Sequence, residues 1–249
     1  MKAVFMTDRG KVRQHNEDSG GIFFNSRGIR LAIVADGMGG HRAGDVASKM
    51  TIDTLSERWK QVEDLATPHD AESWLKTNIE DVNRLLYQHS ENNPECQGMG
   101  TTIVAAICTD LFATIANIGD SRGYLCNESG FKQVTEDHSL VNELVRSGQI
   151  SKEDAEFHPR KNVLLRALGT ELNVEMDLTT ITFEEGDMLM LCSDGLSNKV
   201  SEQEMYDIVT DHNNLEQKAG SLIELANEHG GEDNITLVLV QFHDESESG

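Results

Sequence analysis

The stretch Leu31-Ala32-Ile33-Val34-Ala35-Asp36-Gly37-Met38-Gly39-Gly40-His41 decides how the chain is read. Its unbroken apolar run predicts a buried strand, and Asp36 stands where that run stops. Gly37, Gly39 and Gly40 let the backbone turn sharply and leave main-chain groups uncovered by side chains. A carboxylate at a strand end, beside a bare backbone carbonyl, suits a hard divalent cation such as Mg²⁺ or Mn²⁺, which takes oxygen ligands. Taken alone this is a strand followed by a glycine turn. Four further acidic motifs of the same build change that reading.

They are Asn16-Glu17-Asp18, Gly119-Asp120-Ser121-Arg122, Ser193-Asp194-Gly195 and Glu232-Asp233-Asn234. Asp194 repeats the pattern of Asp36, because Met188 to Cys192 predicts a buried strand that ends just before it. Asp233 mirrors it, immediately preceding the apolar run from Ile235 to Val240. In a sandwich whose strand ends converge on one rim, these carboxylates gather into a single cleft. So many like charges repel one another, and the cluster is tolerable only if cations neutralise it or some groups stay protonated. Two divalent ions roughly 3.5 to 4 Å apart, bridged by a carboxylate, form the arrangement that hydrolyses phosphate esters. Arg13 adds a fixed cation whose planar fork holds two phosphoryl oxygens.

At 249 residues, with no Pro/Ser-rich linker, the chain is expected to form one domain over residues 1–243, followed by an acidic tail at 244–249. A formal net charge of −22, from 43 acidic against 21 basic residues, argues against a nucleic-acid partner and is compatible with cation binding. Cys96, Cys108, Cys126 and Cys192 lie far apart and read as buried free thiols, not as a zinc site or a disulfide framework. No apolar run approaches membrane-spanning length and no cleavable leader is evident, so a cytoplasmic protein without membrane insertion is expected.

Periodicity gives the layering. Lys2 to Thr7 reads as a first strand, and Gly20 to Phe24 with Arg30 to Ala35 as a hairpin. Ala43 to Thr54 and Asp70 to Asn92 carry helical spacing. Thr101 to Cys108, Leu111 to Ile118, Gly123 to Cys126 and Phe131 to Val134 read as an antiparallel meander. Strands resume at Val174 to Ile181 and Met188 to Cys192, and helices at Ser201 to Thr210 and Leu215 to Glu228 precede a last strand, Ile235 to Phe242. Runs of strands and runs of helices predict an α+β fold, two antiparallel sheets packed face to face with helices outside.

Arg13 to Asp18, Asp36 to His41, Gly100-Thr101-Thr102, Gly119 to Arg122, Ser193-Asp194-Gly195 and Asp233-Asn234 together resemble the ordered motif set of the PP2C family of metal-dependent protein serine/threonine phosphatases. The resemblance spans Arg13 to Asn234 in the family's order. It implies hydrolysis of phosphoserine and phosphothreonine in proteins by metal-activated water, with two core Mn²⁺ or Mg²⁺ ions and a looser third. By resemblance Asp36 bridges two metals, Gly37 offers its carbonyl to one, and Asp194 and Asp233 complete the other. Asp18 looks like the family's outer acid, acting through a metal-bound water, and Asp120 with Asp194 matches the third site. Met38, Asp137-His138-Ser139, His158-Pro159 and Arg166 to Gly169 resemble the bacterial stand-alone branch, which counteracts Ser/Thr kinases bearing extracellular PASTA repeats. Phosphorylated proteins, such a kinase among them, are therefore the implied partners of a monomeric enzyme, and Asp137 to Gly169 corresponds to the substrate-facing flap.

One position departs from the wider family. Met38 stands where the eukaryotic branch has a histidine proposed to protonate the leaving group, so His41 and a water acidified at Asp120 remain the two candidates for that acid. A catalytically silent phosphoprotein-binding relative is the alternative, and the intact set of acids argues against it. A nucleotide-binding loop is excluded because no Gly-Lys-Ser/Thr follows Gly40.

Overall fold

The computed structural model describes residues 1–40, 43–63 and 65–243, so His41 and the acidic tail at 244–249 lie outside the described residues. One sheet runs in the order β1 (Lys2–Asp8), β11 (Ile235–Gln241), β10 (Met188–Cys192), β7 (Arg122–Asn127), β8 (Gly130–Gln133). The other runs β2 (Asp18–Phe24), β3 (Arg30–Met38), β5 (Ile103–Cys108), β6 (Phe112–Ile118), β9 (Asp177–Thr182), with β4 (Gly100–Thr101) paired to the end of β3. Neighbouring strands are antiparallel in both sheets. Helices α1 (Ala43–Trp59) and α2 (Pro68–Asn92) cover the second sheet, and α6 (Glu202–Thr210) and α7 (Leu215–Glu228) cover the first.

Why the central strands read as continuous apolar runs is now plain: they are buried on both faces. Along β3, Leu31, Ile33 and Ala35 pack under α1 and α2, while Ala32 and Val34 turn into the space between the sheets. β10 does the same in the other sheet, with Met188, Met190 and Cys192 towards the helices and Leu189 and Leu191 towards the middle. Three apolar layers result. The cysteines are buried free thiols, as expected, and burial pushes Cys108 and Cys192 up to about 12. Helix ends are fixed by reciprocal caps: Thr67 with Asp70 behind Pro68, Ser201 with Glu204, and Asn214 with Gln217.

Three sequence expectations are corrected. β3 does not stop at Asp36 but continues to Met38, because β4 supplies partners, Gly37 to Thr101 and Met38 to Gly100. The expected meander is split: β5 and β6 stay in one sheet while β7 and β8 join the other, and the chain crosses between them at Gly119-Asp120-Ser121. Gly119 makes that crossing with φ +107°, where an added Cβ would lie 2.6 Å from the Thr102 side chain. The strand expected from Val174 begins at Asp177, where pairing with β6 starts. Among the described residues no helix is long and apolar enough to cross a membrane.

Candidate active site

Asp18 and Asp36 are direct cross-strand partners on β2 and β3. Residues so paired share a face, with Cβ atoms about 4.5 to 5.5 Å apart, and two like charges there repel. Asp36 has the parity of Ala32 and Val34, so it continues the layer between the sheets to its open end. The main chain on either side of it is fixed: Thr102 Oγ1 accepts from the Asp36 N–H at 3.0 Å, and the Asp36 carbonyl takes the Thr102 N–H and the Thr101 hydroxyl, both at 2.9 Å.

The opposite sheet closes on this pair. Ser193, fully buried after β10, donates its hydroxyl to Asp18 Oδ2 at 2.7 Å and accepts the Thr236 N–H at 3.0 Å. Asp18 is only 7% exposed, while Asp36 beside it is half-buried. Asp194 begins the one-turn helix α5 (Asp194–Ser197), with Oδ2 held by the Asn198 amide at 3.0 Å. Its Oδ1 is buried with no N–H or hydroxyl donor among the described residues. Asp233 accepts Arg13 NH2 at 2.7 Å, and Arg13 Nε reaches the Glu232 carbonyl at 3.3 Å, so the expected cation does stand among the acids. Burial works against the Arg13 charge, but Asp233, Glu17 and Asp36 outweigh it and raise its pKa.

Asp120 sits on the crossing between the sheets and shares with Asp194 the wall of a cleft of about 820 Å³. The cleft runs from these acids to α3 (Leu140–Arg146) and α4 (Lys152–Glu156), the two helices of the segment 137–169. Where that segment begins, Arg122 holds Asp137 as a fork, Nε to Oδ1 at 3.0 Å and NH2 to Oδ2 at 2.7 Å. His138 next to it is buried, its N–H given to the Gly119 carbonyl and its Nδ1 accepting the Gly119 N–H at 3.2 Å.

Glu17 is a site residue that the sequence reading passed over in favour of its neighbour. It is half-buried beside Arg13, and burial first and the charge of Asp45 next raise its pKa. Its carbonyl accepts the Gly37 N–H at 3.2 Å, and a Cβ on Gly37 would lie 2.6 Å from that oxygen and 2.1 Å from the carbonyl oxygen of Gly44 in α1. Gly37 is thus the close approach that brings loop, strand and helix to one point. The motif Asn16-Glu17-Asp18 carried the signal, but Glu17 lies just before β2, and its place beside Arg13 follows from the fold of the loop.

Crowding perturbs Asp18, Asp36, Asp120 and Asp194. Burial, eased by the Ser193 and Thr236 hydroxyls and reinforced by Asp194 and Asp233, pushes Asp18 up to about 7. Asp120 is pushed up to about 7 by burial, then Asp194 and Asp137, against Arg122. Burial and the charge of Asp18 carry Asp36 well above the usual carboxylate range, and burial with Asp233 raises Asp194. Among the described residues no three acidic, histidine or cysteine side chains stand ready-closed as a ligand set. The donors nevertheless fit hard divalent cations: they are all oxygens, they repel one another, and Asp194 Oδ1 lacks a donor. A bound cation would relieve the repulsion and give Asp194 Oδ1 a partner.

Comparison with known proteins agrees in family and fold. A family model described as protein phosphatase 2C matches residues 8–228. The serine/threonine phosphatase stp of Listeria welshimeri serovar 6b is 54% identical over 241 residues, 97% of this chain and 96% of the relative. The crystal structure of the Staphylococcus aureus serine/threonine phosphatase Stp1 superposes with a TM-score of 0.93 at 41% identity, covering 98% of this chain and 95% of that one. The catalytic domain of a serine threonine protein phosphatase PstP, described in complex with 2 manganese ions, gives a TM-score of 0.86 at 35% identity over 98% of both chains.

The raised carboxylates have a thermodynamic consequence. Asp18 and Asp120 release their protons near 7 when folded but near the ordinary 3.8 when unfolded, so the folded chain holds more protons between those values. Stability contributed by these groups therefore falls as pH rises from about 4 to about 7. Thermal melts of the metal-free protein should show a lower Tm at about pH 8 than at about pH 5, with Asp18→Asn flattening the difference. Mn²⁺ should raise Tm more at the higher pH; an equal rise at both would contradict carboxylate repulsion as the source.

Proposed function

The chain belongs to the protein phosphatase 2C family, and we propose that its acidic cleft is where this protein serine/threonine phosphatase hydrolyses phosphoserine and phosphothreonine in proteins. The observation that carries the reading is the convergence of Asp36, Asp194, Asp233 and Asp120 with Arg13 on one end of the sandwich. In this reading Asp36, Asp194, Asp233 and the Gly37 carbonyl would hold two core ions, Mn²⁺ or Mg²⁺, and Asp120 with Asp194 would hold a looser third. When bound, such ions supply Lewis-acid chemistry, acidifying water and neutralising phosphoryl charge. Asp18, bonded by Ser193, acts one layer further out. Glu17 adds a carboxylate on the Gly37 side.

Arg13 binds and orients the phosphoryl group. Its guanidinium is half exposed and gives one donor to Asp233 and one to Glu232, leaving the rest of a five-donor fork for phosphoryl oxygens. Serine and threonine alkoxides need a proton as the P–O bond breaks. Met38 has none to give, so His41 would supply it, or else Asp120 would hold an ion able to acidify water there. The flap, 137–169, forms the far side of the cleft and reads the protein around the phosphoresidue. Residues 1–243 act as one catalytic domain in a cytoplasmic monomer whose substrates include a PASTA-type Ser/Thr kinase.

Hydrolysis of a phosphothreonine peptide should require Mn²⁺ or Mg²⁺ and vanish in chelator. Asp36→Asn should lose about 100-fold or more in kcat, because a neutral amide would hold divalent cations far more weakly than a carboxylate; full activity in that variant would remove Asp36 from the site. Arg13→Ala should raise KM for phosphopeptide about 10-fold and weaken inhibition by inorganic phosphate, with calorimetric metal affinity little changed. Metal affinity lost with KM unaltered would withdraw the clamp. If His41 is the acid, His41→Ala should depress phosphoserine hydrolysis about 100-fold while sparing nitrophenyl phosphate, whose leaving group needs no proton. Parallel loss on both substrates would shift the role to the water at Asp120, tested by Asp120→Ala on the same pair.

A further inference from the structure

The loop between Arg9 and Glu17 carries Arg13 to Asp233, yet it contains neither helix nor strand and its residues 11–15 are exposed. A segment of that kind does not hold an arginine fork in place unaided. Its restraint comes from one side chain at the start of β11. Asn234, 4% exposed, donates from Nδ2 to the Arg9 carbonyl at 2.8 Å and to the His15 carbonyl at 3.0 Å. Its Oδ1 accepts the Glu17 N–H at 2.8 Å. An amide has two N–H donors, and both are used here. They grip the chain four residues before Arg13 and two residues after it, drawing both sides of the loop onto a single nitrogen.

Within the loop Arg9 NH1 reaches the Gln14 carbonyl at a long 3.4 Å, and the bonds from outside it, Asn234 apart, act on one side of Arg13 at a time. Lys11 and Val12 give their N–H groups to the Gly231 carbonyl, and the Asn16 amide reaches Thr7 Oγ1 at 2.8 Å. Among the described residues, Asn234 is the side chain outside the loop that bonds both sides. It is itself tightly placed. Its N–H donates to Asp233 Oδ1 at 2.9 Å, and a Cβ added to Gly195 would fall 1.9 Å from its carbonyl oxygen. Asp233, the next residue back, is the carboxylate that receives Arg13. The same dipeptide therefore fixes both ends of the Arg13–Asp233 contact, one through a side chain and one through an amide that holds the loop.

We propose that Asn234 is a positioning residue for Arg13, setting the phosphoryl clamp against Asp233 and so governing substrate binding. The inference rests on the reading of Arg13 as that clamp. Asparagine is the residue the geometry requires: aspartate keeps the acceptor for Glu17 but turns an oxygen towards two carbonyl oxygens, and alanine leaves three backbone groups without this partner.

The test is a double-mutant cycle on the full chain with Mn²⁺, reading phosphopeptide KM and inhibition by inorganic phosphate. Asn234→Ala should raise KM about 5- to 30-fold, yet change it less than about 2-fold when Arg13→Ala is already present. A residue that merely stabilises the fold would multiply KM equally in both backgrounds, and that result overturns the proposal. A second measurement needs neither metal nor turnover. Arg9, Lys11 and Arg13 are trypsin sites within the loop, so limited digestion of the metal-free protein should cut there faster in Asn234→Ala and Asn234→Asp, with cutting elsewhere unchanged. Should the alanine variant fail to fold, the isosteric Asp variant carries both readings. Unaltered cleavage in a folded variant overturns the clamp. An inactive wild-type enzyme would instead fail the functional reading, leaving the digestion to judge the loop by itself.

Discussion

Repulsion between carboxylates held face to face is the constraint on which the rest of this structure turns. Asp18 and Asp36 oppose each other across β2 and β3, and Asp194, Asp233 and Asp120 arrive from the other sheet and from the crossing between the two. A loose scaffold would relax by letting the acids drift apart into water. Here each is fixed at the end of an apolar layer that cannot yield without opening a cavity, as with Ala32 and Val34 behind Asp36 and Leu191 just before Asp194. The packing energy of the sandwich thus sustains an arrangement that electrostatics alone would disperse.

The polar groups beneath the site serve the same end. Ser193 directly follows β10 of one sheet and Asp18 begins β2 of the other, and the Thr236 N–H bonds back to Ser193. Thr102, against the Asp36 backbone, shares a hydroxyl contact of 2.7 Å with Ser121, on the segment that changes sheets. Each of these buried groups has a partner, which in a dry interior is the condition for rigidity. The two sheets are consequently keyed together directly under the acids, where relative sliding would do most harm.

Much of this was legible in the chain. The apolar run to Asp36 and the two-sided burial of β3 and β10 follow from composition and period, and the motif order carries the family. What escaped the reading depended on pairing. Nothing in Asp36-Gly37-Met38 announces that a two-residue strand, Gly100–Thr101, will extend β3 past the aspartate. The four short runs after Gly100 look like one meander because sequence separation does not say that Gly119 sends the chain to the second sheet. Glu17 lies just before β2, and no local pattern says that the loop brings it beside Arg13. Asn234 stood in a quoted motif with no role, since its three partners lie more than two hundred residues away in sequence.

The placement of the sulfur atoms has its own consequence. All four cysteines lie inside the apolar layers, and Cys108 and Cys192 are held as neutral thiols far above physiological pH. Oxidants attack the thiolate, and they need to reach it. Phosphatases that break phosphoesters with a cysteine nucleophile are silenced by peroxide at that atom, whereas this chain offers peroxide neither an exposed sulfhydryl nor a mechanism that depends on one. Its dephosphorylating capacity is therefore insulated from thiol oxidation by the same packing that assembles its acids.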